Sequence, residues 1–290
     1  MRLVIFNKIF ELIFKGVKLK ERITLTIEKD ILEKIDSKVD GSTIKNRSHA
    51  VELLLIKAMS ANRLQKGVIL AGGEHNPNKK ITILSTVQDR TVLEWNIKLL
   101  KRYGVKEVLI CLPRGCENIK EQFNTQNMGL EIHYHEEDHP LGTAGSLKAL
   151  KDFITETTVV CYSDDLKKVD MDDMYVYHKN NNKTCTIALT TVDDPSEFGV
   201  ALMNGNKIIT FIEKPPKQSA PSKLINAGIF IVEPEILKYI PDGFSVMEQD
   251  VFPKLAREDD LIGYVFSGQW LRITTPQDLE KAEEIWKGIK

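Results

Sequence analysis

Charged side chains stand directly after apolar runs at two places in the second half of the chain. Asp164 and Asp165 follow the run TTVVCYS, and Glu213 and Lys214 follow TFI. Carboxylates can hold a metal ion or ligand hydroxyls, and an ammonium suits a phosphate. Open α/β sheets bind their ligands at the carboxyl ends of strands. Asp164 and Asp165 are therefore candidate ligand contacts, whereas Glu213 and Lys214 are interpreted, on the residues alone, as a solvated pair at a strand end.

Two glycines, Gly72 and Gly73, end another apolar run, GVILAGG. Glycine permits a tight turn and the close backbone approach that a triphosphate requires. A Gly-Gly pair after a strand is also an ordinary turn. Both interpretations stay open on the residues alone.

The elements that must position these residues alternate between strand and helix from Gln65 onward. GVILAGG, KEVLIC, LEIHY and TTVVCY are typical of strands, and TVLEWNIKLLKRYG and Ala144 to Leu150 of helices. This alternation predicts an α/β fold with an open, mostly parallel sheet and flanking helices. We assign residues 65–290 to this domain and Ser60 to Leu64 to a linker.

A smaller unit precedes it, over residues 18–60. RITLTI, from Arg22 to Ile27, alternates with period two, which predicts a short strand with Ile23, Leu25 and Ile27 facing the helices. EKDILEKIDSKVDG predicts a helix ending at Gly41, and NRSHAVELLLIKAM predicts a second helix with Ser48 as its N-cap.

Strand, helix and helix in about forty residues, Lys20 to Met59, resemble the ribbon-helix-helix family of DNA-binding proteins, such as the Arc and methionine repressors. The resemblance implies a homodimer, because a lone short strand must pair with its copy in a second subunit. It also implies duplex DNA as partner. The expected DNA contacts are Arg22, Thr24, Thr26, Asn46, Arg47 and Ser48, the first three reading bases and the others meeting phosphates. A dimerisation module without DNA is the alternative.

Seven segments of the larger domain occur in the order found in the sugar-1-phosphate nucleotidyltransferases, which this domain resembles. They are LAGG at 70–73, LEWNIKLLKRYGV at 93–105, PLGTAGSL at 140–147, FGV at 198–200, FIEKP at 211–215, NAGIF at 226–230 and DVFPKLA at 250–256. That family joins a sugar phosphate to a nucleoside triphosphate and releases pyrophosphate. Each segment alone is a weak sign, but seven in order are specific.

The resemblance assigns roles residue by residue. Gly72, Gly73, Gly142 and Thr143 would contact the nucleotide, and Gly199, Glu213, Lys214 and Asn226 the sugar phosphate. Asp164 takes the metal-binding place, with Asp165 as the neighbouring alternative. Without the resemblance, Gly142 and Thr143 would only cap the helix that follows.

The chain departs from the family where charge must be neutralised. After the Gly pair the family carries G-T-R and P-K-P, whereas this chain has EHNPNKKITILST, without an Arg. A second metal carboxylate belongs to W-x-D-I-G-T-P, which reads W-L-R-I-T-T-P here and puts Arg272 in place of the Asp. An Arg beside a dication repels it. A normal two-carboxylate Mg²⁺ site is therefore not expected.

Arg272 has two further interpretations. Its guanidinium can contact a ligand phosphate directly and replace the metal's charge. Alternatively, it is a surface Arg that pairs with Asp164 or Asp165.

The remaining features bear on membrane attachment, cellular compartment and metal binding. Residues 1–17, MRLVIFNKIFELIFKGV, predict an amphipathic helix too short to span a bilayer, so we expect a packed helix rather than membrane attachment. Four cysteines without a C-x-x-C pair favour a reducing cytoplasm. His133, His135 and His139 are interpreted as incidental rather than as a metal site.

Two functions follow. The first is a DNA-binding transcriptional regulator whose nucleotidyltransferase-like domain senses a nucleotide or sugar nucleotide with weak or no catalysis. The alternative is an active sugar-1-phosphate nucleotidyltransferase whose N-terminal module serves dimerisation. The lost charge-neutralising residues favour the first, and the retained pocket segments support the second.

Overall fold

The computed structural model describes residues 24–41, 44–61, 63–71, 84–123 and 129–289. These fall into two units, residues 1–59 and 60–290. Among the helices described, none is both long and apolar enough to cross a membrane. The predicted amphipathic helix at 1–17 lies outside the described residues.

The described residues of the first unit include two helices, α1 (Lys29–Asp36) and α2 (Arg47–Ala61), the second of which ends two residues beyond the unit. The prediction that the first helix reaches Gly41 was wrong. The N–H of Ser37 still bonds four residues back to Glu33, but the N–H groups of Lys38 and Val39 bond three residues back and tighten the chain into turns, so the helix ends at Asp36.

The N-cap of α2 also differs from the prediction. The side chain of Asn46, not Ser48, accepts a hydrogen bond from the backbone N–H of His49 at 2.9 Å. The helix begins at Arg47, so Asn46 holds the capping position and Ser48 lies in the first turn.

The predicted strand 22–27 is described only from Thr24, and residues 24–28 form no strand in the single chain. Thr24, Leu25 and Thr26 are all exposed in the single chain. A ribbon strand takes its hydrogen-bond partner from a second copy. Pairing therefore stays a prediction.

The second unit alternates strands and helices as predicted. Its strands are β1 (Lys66–Leu70), β2 (Thr86–Val87), β3 (Arg90–Thr91), β4 (Glu107–Pro113), β5 (Glu131–Glu137), β6 (Thr158–Tyr162), β7 (Asp165–Lys167), β8 (Cys185–Thr191), β9 (Gly199–Asn204), β10 (Lys207–Glu213), β11 (Leu224–Val232), β12 (Leu261–Val265) and β13 (Trp270–Arg272). Its α-helices are α3 (Val92–Arg102), α4 (Glu117–Gln122), α5 (Gly142–Ala149), α6 (Met171–Asn181), α7 (Phe252–Arg257) and α8 (Pro276–Ile285). Short 3₁₀ turns cover Lys217–Ser219 and Pro234–Lys238, and a π-helical turn covers Met247–Val251.

Nine of the described strands form one sheet in the order β5-β4-β1-β6-β11-β8-β12-β10-β9. The half from β5 to β6 is parallel, and β8 and β12 are parallel to each other. The long strand β11 is inserted antiparallel between β6 and β8. The sheet is therefore mixed, with its parallel half as predicted.

Both faces of this sheet are covered. One buried cluster includes Ile69 and Ile110 and packs against α3, and another includes Val68 and Val160 on the opposite face. A strand buried on both faces reads as a continuous apolar run, which is why GVIL and TVVCY were recognisable in the sequence.

A two-stranded ribbon, β7 with β13, stands beside the main sheet. Its register sets Arg272 opposite Asp165 and Trp270 opposite Lys167. The ribbon thus brings the segment after β6 and the segment before α8 to one place.

Candidate functional site

A pocket of about 310 Å³ opens where β6, β10 and the β7–β13 ribbon meet. This volume is within the range of small-molecule sites. Its lining comprises Tyr162, Asp164, Asp165, Glu197, Phe198, Gly199, Glu213, Lys214, Asn226, Gly228, Glu248, Trp270, Arg272 and Thr274. All four residues predicted for the sugar phosphate are among them, together with Asp164 and Arg272.

Asp165 and Lys167 form a buried ion pair beneath the pocket. The Lys167 ammonium also donates to the carbonyl oxygens of Tyr162, at 3.1 Å, and Gly228, at 3.0 Å. Burial raises the pKa of Asp165 to about 7, against the lowering effect of Lys167. Asp165 is thus engaged inside the protein, whereas the Asp164 carboxylate has no hydrogen bond or ion pair with another described residue.

Trp270 clamps this pair to the central strand. Its indole N–H lies 3.2 Å from a carboxylate oxygen of Asp165 and 3.2 Å from the carbonyl oxygen of Ala227. Gly228 lies beside it with a φ of +67°, and a Cβ there would overlap the Asp165 carboxylate. Glycine is required at this point of β11.

Arg272 is held by neutral partners. Its Nε donates to the hydroxyl of Thr274 at 3.0 Å, and its guanidinium lies 5.1 Å from the centre of the Phe198 ring. The Phe198 ring in turn packs edge-on against Trp270. Arg272 forms no ion pair with any described residue, so the alternative in which it pairs with Asp164 or Asp165 was wrong. A positioned cation therefore lines the pocket.

Glu248 and Glu213 supply two more carboxylates. Glu248 is buried and accepts hydrogen bonds from the hydroxyl of Tyr162, from Asn226 Nδ2 at 3.4 Å and from the Thr143 hydroxyl at 3.3 Å. Glu213 Oε2 is also buried but has no hydrogen-bond partner among the described residues. Burial and the nearby Glu248 raise the pKa of Glu213 to about 7, and burial raises that of Glu248 as well.

Gly199 and Lys214 have backbones shaped for this pocket. A Cβ on Gly199 would overlap the Phe211 ring and lie 2.9 Å from Glu213 Oε2, so the missing side chain leaves room for Glu213. Lys214 has a φ of +46°, an uncommon value outside glycine, and its N–H bonds to the carbonyl of Phe198 at 3.0 Å. The exposed Lys214 side chain therefore starts from a fixed backbone.

Gly142 and Thr143 begin α5 but do not line this pocket. Gly142 has a φ of +73°, and a Cβ there would overlap the carbonyl oxygen of Ser245. Thr143 accepts a hydrogen bond from the N–H of Met247 at 2.9 Å and reaches the pocket only through Glu248. No side chain caps α5, so the capping alternative for Thr143 was wrong.

Several predicted residues lie elsewhere. Gly72, Gly73 and Arg22 are outside the described residues. In the first unit, the Arg47 guanidinium makes two hydrogen bonds to the Asp36 carboxylate, at 2.7 and 2.6 Å. That contact must open before Arg47 can meet a DNA phosphate.

Metal binding was tested on the donor groups. Within the described ranges, no group of three His, Cys, Asp or Glu side chains is arranged to hold a metal ion. Asp164 offers one free carboxylate, and Mg²⁺ is often held by one or two carboxylates plus ligand phosphates. The residues therefore fit a reduced magnesium site with Asp164 as its protein ligand.

The sequence interpretation missed Lys167, Trp270 and Glu248. Lys167 follows Asp165 by two residues, so the period of a strand would have placed both on one face. The segment VMEQDVFPKLA was used only from Asp250 onward. Glu248 is far from Glu213 in sequence, and no periodicity connects them.

Comparison with known proteins gave consistent matches. A family model described as nucleotidyl transferase matches residues 66–287. The mannose-1-phosphate guanylyltransferase catalytic subunit beta of Danio rerio is 30% identical over 225 residues, covering 73% of this chain and 62% of the relative. The probable mannose-1-phosphate guanylyltransferase 1 of Oryza sativa subsp. japonica is 31% identical over 227 residues, with the same coverage. The chain thus spans less than two thirds of these relatives.

Solved structures share the fold. A putative glucose-1-phosphate thymidylyltransferase from Bacillus anthracis, in complex with a sucrose, superposes with a TM-score of 0.69 at 24% identity, covering 78% of this chain and 96% of that one. A UDP-glucose pyrophosphorylase complexed with UDP-glucose has a TM-score of 0.68 at 18% identity, covering 77% and 98%. At these identities the likeness establishes the fold alone. Residues 1–65 lie outside the family match.

Proposed function

Because the chain belongs to the nucleotidyl transferase family, we propose that its second unit is a sugar-1-phosphate nucleotidyltransferase. In this reaction a phosphate oxygen of the sugar 1-phosphate attacks the α-phosphorus of a nucleoside triphosphate, and pyrophosphate leaves. One observation carries the proposal. Gly199, Glu213, Lys214 and Asn226 come from three separate strands or strand ends, and they line one pocket with Asp164.

Each lining group has a task in binding. The Glu213 carboxylate and the Asn226 amide would hold sugar groups, and the Lys214 ammonium would hold the sugar phosphate. Gly199 leaves the space in which Glu213 lies. Gly72, Gly73, Gly142 and Thr143 would hold the nucleotide through backbone groups, by analogy with the family.

Charge neutralisation is shared differently in this chain. A magnesium ion, when bound, would be held by Asp164 with ligand phosphates and would neutralise phosphate charge. Arg272 would add a bidentate guanidinium where the family has its second carboxylate. Because Phe198 and Thr274 already hold this side chain, little conformational entropy is lost when it binds a phosphate.

Pyrophosphate release tests the proposal. Four nucleoside triphosphates are combined with a panel of sugar 1-phosphates that includes mannose 1-phosphate, with and without magnesium. We expect turnover with at least one pair and a loss of about 100-fold or more in Asp164→Asn, because transfer depends on charge neutralisation. No release above the Asp164→Asn background for any pair would refute transfer.

Arg272 favours a second candidate, in which the pocket binds a nucleotide or sugar nucleotide and transfers nothing. The first unit would then be a ribbon-helix-helix dimer that binds duplex DNA through Arg22, Thr24, Thr26, Asn46, Arg47 and Ser48. Its expected signature is sugar-nucleotide binding that is little changed by magnesium, because a fixed guanidinium replaces the ion. Calorimetry with and without EDTA, set beside the pyrophosphate assay, separates the two candidates.

A further inference from the structure

Two carboxylates from separate elements face the pocket. We call Glu213 and Glu248 the carboxylate pair; they come from the end of β10 and from the π-helical turn. Neither forms an ion pair with a described residue. Their proximity is unfavourable, since each destabilises the ionised form of the other in a partly desolvated place.

The two members differ in their hydrogen bonds. Glu248 is held by neutral donors, the Tyr162 hydroxyl, the Asn226 amide and the Thr143 hydroxyl. Glu213 Oε2 is shielded from solvent and has no partner in the described part of the chain. A buried acceptor without a partner costs free energy that a ligand donor can recover. The pocket therefore has a vacant acceptor beside a second negative charge.

The lining as a whole carries both signs. Asp164, Asp165, Glu197, Glu213 and Glu248 are acidic, and Lys214 and Arg272 are basic. A sugar phosphate alone is an anion, and it would use the two cations while leaving the carboxylate pair uncompensated. A zwitterion would match both. Within the described ranges, no third carboxylate, imidazole or thiol group joins the pair in a metal-binding arrangement.

We propose that the ligand of this pocket is an amino sugar 1-phosphate whose ammonium group binds between Glu213 and Glu248. The proposal rests on the proposed function, because it takes the pocket to be the sugar-phosphate site. The ammonium supplies three hydrogen-bond donors and a full positive charge. A hydroxyl supplies one donor and no charge. Lys214 and Arg272 take the phosphate.

Binding of matched ligands tests the proposal. Calorimetry at pH 7.5 compares glucosamine 1-phosphate with glucose 1-phosphate, and a 4-amino sugar 1-phosphate with its 4-hydroxyl counterpart. The N-acetyl derivative of each amine removes the charge but keeps the nitrogen. We expect at least one amine to bind about tenfold tighter than both of its neutral counterparts, the size of one charged hydrogen bond. An amine that never binds tighter would overturn the proposal.

Variants locate the effect. Glu213→Gln and Glu248→Gln should each reduce the amine preference about tenfold, while binding of the hydroxyl sugar changes less. Glu197→Gln removes the same charge from the exposed edge of the lining and should alter the preference less than about twofold. Equal losses in all three variants would mean that net charge, and not the pair, attracts the amine. If Glu248→Gln does not fold, Glu213→Gln and the ligand series still decide.

The outcomes for the two proposals differ. If hydroxyl and amino sugars bind alike, the amine inference fails and the sugar-phosphate site stands. If no sugar 1-phosphate binds, the proposed function fails with it. A rise in amine preference between pH 6 and 7, where Glu213 begins to ionise while the amino sugar is still an ammonium, gives an independent check, since a neutral sugar should not follow that profile.

Discussion

At the level of single residues, the ion pair of Asp165 and Lys167 explains why Asp164 is the carboxylate available to a ligand. The Lys167 ammonium is fully enclosed and contacts the end of β6, the start of β7 and the middle of β11. Such a pair adds little net stability over apolar residues, but removing one partner leaves an uncompensated buried charge. Its role is therefore to orient groups around the pocket floor.

Substitution of Lys167 should show the stability cost of leaving the buried Asp165 carboxylate without a counter-ion. We expect Lys167→Met to lower the free energy of unfolding by about 3–5 kcal/mol at pH 9, where Asp165 is ionised in the parent protein and loses its counter-ion. The double variant Lys167→Met with Asp165→Asn should recover most of the loss. Urea denaturation of both proteins measures the difference. A double variant as unstable as the single one would contradict this account.

Glu213 should make stability depend on pH. Its folded-state pKa is raised to about 7 by burial and by Glu248, so between pH 4.5 and 7 the folded protein binds more protons than the unfolded chain. Stability from this group therefore falls as pH rises through that window. Glu213→Gln should raise Tm at pH 8 and change it little at pH 4. The exposed Glu235→Gln serves as control, and a lower Tm of Glu213→Gln at pH 8 would refute the assignment.

At the level of elements, capping of α8 supports Arg272. Thr275 and Asp278 form a reciprocal capping box, and the Asp278 carboxylate also accepts hydrogen bonds from the N–H and hydroxyl of Thr274. Thr274 is the residue to which Arg272 donates. The capped start of α8 therefore holds Thr274, and through it the guanidinium of Arg272, in place.

Two matched substitutions separate this role from helix stability. Asp278→Ala and Glu94→Ala each remove the carboxylate of a capping box, at α8 and α3 respectively. Both should cost about 1 kcal/mol of unfolding free energy. Only Asp278→Ala should also weaken binding of a sugar 1-phosphate, by about threefold to tenfold, the size of one hydrogen bond. Equal affinities in calorimetry would show that the cap does not act on Arg272.

The sequence predicted elements better than it predicted their neighbours. Apolar runs predicted β1, β4, β5 and β6, and the predicted helix 144–150 is found at Gly142–Ala149. The place of β11 between β6 and β8 could not be predicted, because pairing of distant strands leaves no periodic signal. Ser48 was chosen over Asn46 as a cap although both residue types cap helices, and only the backbone geometry distinguishes them.

The site was predictable only where its residues lie in recognisable sequence motifs. Glu213, Lys214 and Asn226 were found through motifs, and they line the pocket. Glu248 was not, since only the tertiary fold brings it to the same pocket as Glu213. Gly142 was predicted to contact a nucleotide, whereas the absence of its side chain also allows close packing against Ser245.

At the level of the whole molecule, the predicted homodimerisation and DNA binding both belong to the first unit. Its described residues leave Leu25, Ile31 and Leu55 about half exposed in the single chain. Apolar side chains on a small unit are commonly covered by a partner. This exposure fits the proposed homodimer, with a second copy as the partner.

DNA binding by that dimer can be tested through the Arg47–Asp36 contact. Asp36→Asn should free the Arg47 guanidinium and strengthen binding to duplex DNA, whereas Arg47→Ala should weaken binding to all sequences and reduce its salt dependence. Asp259→Asn, which removes the same charge from the second unit, is the control. Fluorescence anisotropy over a salt series measures all three. No binding of the full chain at low salt would exclude the DNA-binding candidate.

Because β11 comes late in the sequence, it affects how the protein folds during translation. The parallel half, β5-β4-β1-β6, is complete in the growing chain by Tyr162, yet the strand that covers the edge of β6 begins only at Leu224. At about 5–20 residues per second, translation leaves that edge open for roughly 3–12 s. An open apolar edge strand invites pairing with other chains. The nascent chain should therefore need chaperone protection in this interval, and slowing translation after Tyr162 should increase aggregation.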